Sequence, residues 1–226
     1  MKKSFSLIEL IIVIIIVGIL YTSVNFTLAD TTLNQTADKL MANINYTRHL
    51  ALKDNKMQYY PISNNNIDMN RSKYWFKSWW QFRLGKATND YFYEIFSDSP
   101  YSTNIYDRVG NPISEFAINP NNKLYLAGNY AFNSDKDLNL STSGIKRVLY
   151  NDNDFTSSIR FIFDNYGSCY LSEGDAGDAG DINPYNINKR VPSLKTQKIT
   201  LCKDSNCEKN ISICITAKTC NTYICK

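Results

Sequence analysis

The chain opens on an apolar run from Leu7 to Leu20, unbroken except for one carboxylate, Glu9. As helix the run is about long enough to cross a bilayer only if it continues through Tyr21 and Val24. Beyond it the apolar positions thin to a stripe. Leu33, Ala37, Leu40, Ile44 and Ala51 recur at helical spacings, which places Asn34, Asp38, Asn45 and Lys53 toward solvent. The helix is expected to stop near Asp54 or Asn55, and from Ser6 to Asp54 it would measure about 73 Å. After residue 55 the period changes. Short β-type runs are separated by Asn, Asp, Gly and Pro: Tyr74 to Leu84, Tyr91 to Phe96, Lys123 to Leu126, Ile159 to Phe163, Lys198 to Cys202 and Ile211 to Thr216. The pattern predicts an α+β fold. A long N-terminal helix, half transmembrane and half amphipathic, would pack on one antiparallel β-sheet head with a cysteine-rich C-terminus. The segment between Asp98 and Asp154 has no assigned place in this scheme.

Glu9 carries the chemistry of the first segment. An ionised acid inside a bilayer costs about 2.5–3.5 kcal/mol on insertion scales, so it needs a function and a partner. Three readings of the segment compete. A secretory signal would need a small-residue cleavage site beyond the apolar run, and Thr27-Leu28-Ala29 is a poor one. A plain anchor accounts for Lys2 and Lys3 by the positive-inside bias and leaves Glu9 without a role. The third reading is a short basic leader removed before Phe5. Its removal would free a cationic amine close to one helical turn from Glu9, and in a staggered bundle the amine of one subunit would face the Glu9 of the next.

At these residues the chain resembles the type IV pilin-like superfamily, the pilins and the pseudopilins of type II secretion. Lys2-Lys3-Ser4 matches the leader, Phe5 the new first residue and Glu9 the fifth. The residue before the cut is usually Gly in that family and is Ser4 here, and the proline that often kinks the stem is missing. The resemblance implies cleavage between Ser4 and Phe5 by a prepilin peptidase, N-methylation of Phe5, and assembly through Glu9. It divides the chain into a leader (1–4), a transmembrane helix segment (5–24), an amphipathic stem (25–55) and a periplasmic or extracellular head (56–226). Arg48 and Ala51 fit an apolar-x-x-Arg-x-x-Ala stem ending, and "IRFIFDNYGSCY" with Phe163 and Gly167 fits an F-x-x-x-G segment. Both resemble H-type minor pseudopilins and related type IV minor pilins. The resemblance implies a single-pass protein of the bacterial inner membrane whose head lies in the periplasm until it joins a filament. Its partners would be other pilin-like subunits and the inner-membrane assembly platform.

In the head, "KYWFKSWWQFRL" alternates with period two. Tyr74, Phe76, Trp80, Phe82 and Leu84 are expected on the core face, with Trp75, Lys77, Trp79, Gln81 and Arg83 on the other. Trp75 and Trp79 beside Lys77 and Arg83 could stack on sugars or bases, or be covered within a two-layer head. Six cysteines, Cys169, Cys202, Cys207, Cys214, Cys220 and Cys225, lack the short pairs of zinc sites and read as disulfides of an oxidising compartment. Six allow 15 pairings. The "KDSN" turn favours Cys202 with Cys207.

The formal charge is +4, and +2 once Lys2 and Lys3 are removed. Eight basic residues follow residue 188, among them Lys189, Arg190, Lys195, Lys198, Lys203 and Lys209, against only Asp204 and Glu208. They are either a solvated surface or a site for DNA phosphates. Glu173, Asp175, Asp178 and Asp181 share a Gly-rich loop and offer the oxygen ligands that Ca²⁺ uses, at spacings that depart from the EF-hand; the other reading is a solvated acidic loop. No other cofactor is expected. Phosphate loops, nucleophile elbows and metalloprotease motifs are absent from the sequence, and the lone histidine, His49, lies on the stem far from every cysteine. The expectation is a protein that works by assembly and not by catalysis: a minor pseudopilin of a type II secretion pseudopilus or, as the alternative, a minor pilin of a type IV pilus serving assembly, adhesion or DNA uptake.

Overall fold

The structure is a computed structural model that describes residues 7–57, 66–72, 75–88, 90–98, 115–129, 133–173 and 195–225, the side chains of residues 22–30, 70–71 and 172–173 excepted. Helix α1 (Leu7–Lys53) has 47 residues, about 70 Å of rise. Leu33, Ala37, Leu40, Ile44, Thr47 and Ala51, spaced four and three residues apart in turn, are all buried. Such spacing keeps one face on a flat partner. The buried hydroxyls on this face are satisfied within the helix: Thr36 Oγ1 donates to Thr32 O at 2.9 Å and Thr47 Oγ1 to Asn43 O at 2.8 Å.

Strands β1 (Trp80–Ala87), β2 (Asp90–Phe96), β5 (Ser158–Phe163) and β6 (Cys169–Glu173) form one antiparallel sheet in the order β2-β1-β5-β6. A second antiparallel sheet has the order β4-β3-β7-β8-β9, from β3 (Arg147–Tyr150), β4 (Asn153–Asp154), β7 (Gln197–Cys202), β8 (Asn210–Ile215) and β9 (Thr222–Ile224). Alternate residues of both sheets, among them Phe82, Leu84, Tyr93, Phe161, Ile199 and Ile213, enter one core with the buried stripe of α1. A one-turn helix α2 (Met69–Ser72) precedes the first sheet.

The expected plan, a helix with a transmembrane half laid on one antiparallel sheet, is corrected. Among the described residues the head contains two sheets, and no helix is long and apolar enough to cross a membrane. The described exposed apolar stretch, Leu7 to Tyr21, rises only about 22 Å, short of a hydrocarbon core of about 30 Å. The C-terminus is disulfide-rich as expected.

Two strand assignments also change. Trp75–Ser78 is a 3₁₀ turn, and the strand begins at Trp80. The turn breaks the alternation, so Phe76 leaves the Phe82 face and joins Trp79, Ile162 and Tyr170 in a separate cluster. Lys123 to Leu126 makes only isolated bridges, because Lys123 at φ 62° turns the chain tightly. The unassigned segment has a role: Phe116, Ala127 and Asn139 bridge to Phe96, Glu94 and Phe92, closing the β2 edge of the first sheet. Gly128 permits this close approach. A Cβ there would lie 2.6 Å from Leu138 O and 2.8 Å from Tyr93 O, both backbone atoms.

Candidate functional site

The first part of α1 is the largest apolar surface of the described molecule. All the apolar side chains from Leu7 to Tyr21 are exposed, Leu7 by 78 % and Tyr21 by 71 %, with Glu9 exposed among them. Isolated soluble domains rarely show a contiguous apolar surface of this extent, and one this large marks an interaction site. Ser4 and Phe5 lie outside the described residues.

The other end of α1 is held where the sheets meet. Arg48 Nε donates to Gly167 O at 3.2 Å, and Arg48 Nη1 donates to Asn221 Oδ1 at 2.9 Å. Gly167 lies in the turn between β5 and β6, and Asn221 lies between β8 and β9. One guanidinium therefore ties the helix to both sheets, using the fixed fork of donors that lysine lacks. Gly167 has φ +79°, and a Cβ there would lie 3.0 Å from Arg48 Nε. Backbone conformation and the arginine both select glycine. Beside this contact Cys169 is bonded to Cys220, and Cys169 N donates to Lys218 O at 2.7 Å, joining β6 to the turn before β9. The Arg48 and Phe163-x-x-x-Gly167 segments, far apart in sequence, are thus in contact.

The first sheet carries charge on the face turned away from the main core. Arg83 sits opposite Glu94 on β2 and opposite Arg160 on β5. Arg83 Nη1 donates to Glu94 Oε1 at 2.8 Å, and Gln81 Nε2 donates to Asp98 Oδ2 at 2.9 Å. Burial pushes the Glu94 carboxyl above its ordinary value, and Arg83 beside it offsets only part of that shift. The folded state therefore holds a proton on Glu94 more tightly than the unfolded chain does. The stabilisation is complete below the unfolded value, about pH 4.3, and is lost as pH rises through the folded value. Glu94→Gln is expected to flatten the decline in stability from pH 4.5 toward neutrality, measured by urea unfolding at several pH values; an unchanged slope would assign the decline to other groups.

The remaining predicted residues divide. Of the two readings of the Trp pair, the covered one holds: Trp79 is only 4 % exposed and stacks on Tyr170 with centroids 5.3 Å apart, and Trp75 is half-buried against it. The six cysteines pair as Cys169–Cys220, Cys202–Cys207 and Cys214–Cys225. Asp175, Asp178 and Asp181 lie outside the described residues, as does the side chain of Glu173, and no cluster able to hold a metal is found among the described residues. Lys189 and Arg190 also lie outside them. Lys198 pairs with Asp152 at 2.8 Å, and Arg147 on the same sheet pairs with Asp154, so part of the basic surface is already neutralised. Lys195 and Lys209 are exposed, Lys203 is half-buried, and His49 is exposed on α1. Sequence reasoning missed Asn221 and the Arg83–Glu94 pair. The second was within reach, because Ala87 pairs with Asp90 and the antiparallel register then sets Arg83 opposite Glu94.

Searches of known protein families, curated proteins and solved structures found no match to this chain.

Proposed function

We propose that this chain is a minor pseudopilin, a structural subunit of a type II secretion pseudopilus that assembles through its N-terminal helix and supports protein export. The observation that carries the reading is the exposed apolar stretch Leu7 to Tyr21 with Glu9 as its single carboxylate, on a helix whose far end is fixed in the head by Arg48. A helix bound at one end and apolar all round at the other buries its free part among equivalent helices. Glu9 then faces the amine of Phe5 on a neighbouring subunit, and each charge offsets the desolvation of the other. Before assembly the subunit resides at the inner membrane with its head in the periplasm, where a prepilin peptidase and the assembly platform act on it. Three disulfides suit that oxidising compartment.

Processing gives the first test. The mature protein is expected to begin at N-methyl-Phe5, read by intact mass and N-terminal sequencing; a chain that keeps Met1 to Ser4 would contradict the reading. Deleting the gene and following exported proteins tests the apparatus. Accumulation in the periplasm, reversed by the wild-type gene, supports the pseudopilus. Unchanged export rejects it and directs attention to surface pili and DNA uptake.

A further inference from the structure

Between α1 and residues 119–126 and 135–138 lies a cleft of about 280 Å³, lined by Lys39, Asn43, Tyr46, Asn121, Asp135 and Asp137 among others, with Tyr93 also on its wall. Two of its polar groups are more than nine-tenths buried, the hydroxyl of Tyr93 (1 % exposed) and the carboxylate of Asp135 (7 %). Tyr93 Oη accepts from Asn43 Nδ2 at 3.0 Å. Burial holds this hydroxyl protonated well above its ordinary range, and its proton has no acceptor among the described residues. Turning the Asn43 amide over makes Tyr93 the donor and leaves the amide N–H groups spare, so the pair keeps an unused donor either way. Asp135 receives Asn119 Nδ2 at 2.7 Å, Asn122 Nδ2 at 2.9 Å and the Asp137 N–H at 3.2 Å. A carboxylate has about four acceptor positions, so one remains.

A buried residue with a spare donor and a buried residue with a spare acceptor, both lining the cleft, define the ligand chemistry. A hydroxyl accepts and donates at once, which matches both. Anions are disfavoured, because Asp135 and Asp137 outweigh Lys39, whose ammonium is already paired with Asp137 at 2.6 Å. A cation is disfavoured as well, because Asp135 is largely occupied by N–H donors and no metal cluster is found among the described residues. Half-buried Tyr46, whose hydroxyl donates to Ile118 O at 3.3 Å, supplies an amphipathic ring on the cleft wall. We infer that this cleft is a binding site for a neutral polyhydroxylated ligand, one sugar unit of a glycan, held between Tyr93, Asn43 and Asp135. The inference stands apart from the assembly reading and concerns what the head holds once displayed.

The full-length chain, kept in lauryldimethylamine oxide so that no detergent sugar competes, is titrated with glucose, galactose, mannose, N-acetylglucosamine, N-acetylgalactosamine, maltose and lactose. Saturation-transfer NMR is the readout. The cleft is near the small end of ligand pockets, so at least one of these is expected to bind with Kd of about 1 mM. Asn121→Trp, which blocks the exposed rim, and Tyr93→Phe, which removes the buried hydroxyl, are each expected to weaken binding by about tenfold or more. Unchanged melting of the rim variant separates a blocked site from a misfolded head. The inference is overturned if no sugar of the panel binds by about 50 mM, well above the expected Kd. It is equally overturned if Asn121→Trp and Tyr93→Phe both bind as the wild type does.

Discussion

Glu9→Ala is expected to leave the subunit in the membrane fraction at its normal level and to remove it from sheared filaments. The substitution makes the first part of α1 uniformly apolar, so residence at the membrane is retained or strengthened. Assembly responds in the opposite direction. Within a bundle of helices the alanine variant leaves the amine of a neighbouring Phe5 desolvated and unpaired. Breaking a buried pair by removing one partner costs about 3–5 kcal/mol, which is on the order of a hundredfold or more in incorporation per contact. Glu9→Gln tests whether charge or volume matters. It keeps the shape and a hydrogen-bond acceptor but not the charge, and is expected to behave close to alanine. Glu9→Asp keeps the charge on a shorter stem and should recover part of the incorporation. Wild-type incorporation of Glu9→Ala would reject the register role of the carboxylate and, with it, the assembly contact that the functional proposal assigns to it.

The parts of this fold that were legible in the sequence are those set by local period. Leu33, Ala37, Leu40, Ile44 and Ala51 are spaced for one helical face and are buried, and the strand assignments at Tyr91 to Phe96 and Ile159 to Phe163 fall on β2 and β5. What was not legible depends on partners distant in sequence. Strand β3 has four residues and acquires its identity by pairing with β7 across a long connection, so nothing within Arg147–Tyr150 reports it. Period alone also assigns residues to faces without counting sheets. Alternation in β1 and in β7 is the same signal, yet the strands belong to different sheets that meet in one core. The Trp-rich run misled for a related reason. The alternating pattern runs on through Trp75–Ser78, where a 3₁₀ turn resets the phase and sends Phe76 and Trp79 together to the second cluster. Of the candidate residues, Cys202 and Cys207 were legible because five residues separate them and a tight turn lies between. Cys169 and Cys220 were not, because their separation of 51 carries no local signal.

That long separation sets the second large effect. Replacing Cys169 and Cys220 together by alanine is expected to destabilise the head more than removing either other disulfide. Chain-entropy bookkeeping assigns about 4 kcal/mol to closing a loop of 51 residues, about 3 kcal/mol to the 11-residue Cys214–Cys225 loop and about 2 kcal/mol to the 5-residue Cys202–Cys207 loop. For a head of this size the first corresponds to a fall in Tm of about 10 °C. Position adds to length. Cys202–Cys207 lies within one hairpin and Cys214–Cys225 ties β8 to the residue after β9, so both act inside the second sheet. Cys169–Cys220 joins the two sheets beside the Cys169 N–H to Lys218 O hydrogen bond and beside Arg48, which bonds Gly167 on one side and Asn221 on the other. Without the disulfide, the corner depends on that backbone hydrogen bond and on the two from Arg48, each worth about 1.5–3 kcal/mol because the donor is charged. Arg48→Ala should therefore be tolerated in the oxidised protein and severe in the Cys169→Ala/Cys220→Ala background, a coupling that adjacent groups sharing one contact are expected to show. Thermal melts of the four proteins measure it. Strict additivity would mean that the arginine and the disulfide stabilise the corner independently. A larger loss from breaking Cys202–Cys207 than from breaking Cys169–Cys220 would reject the ranking.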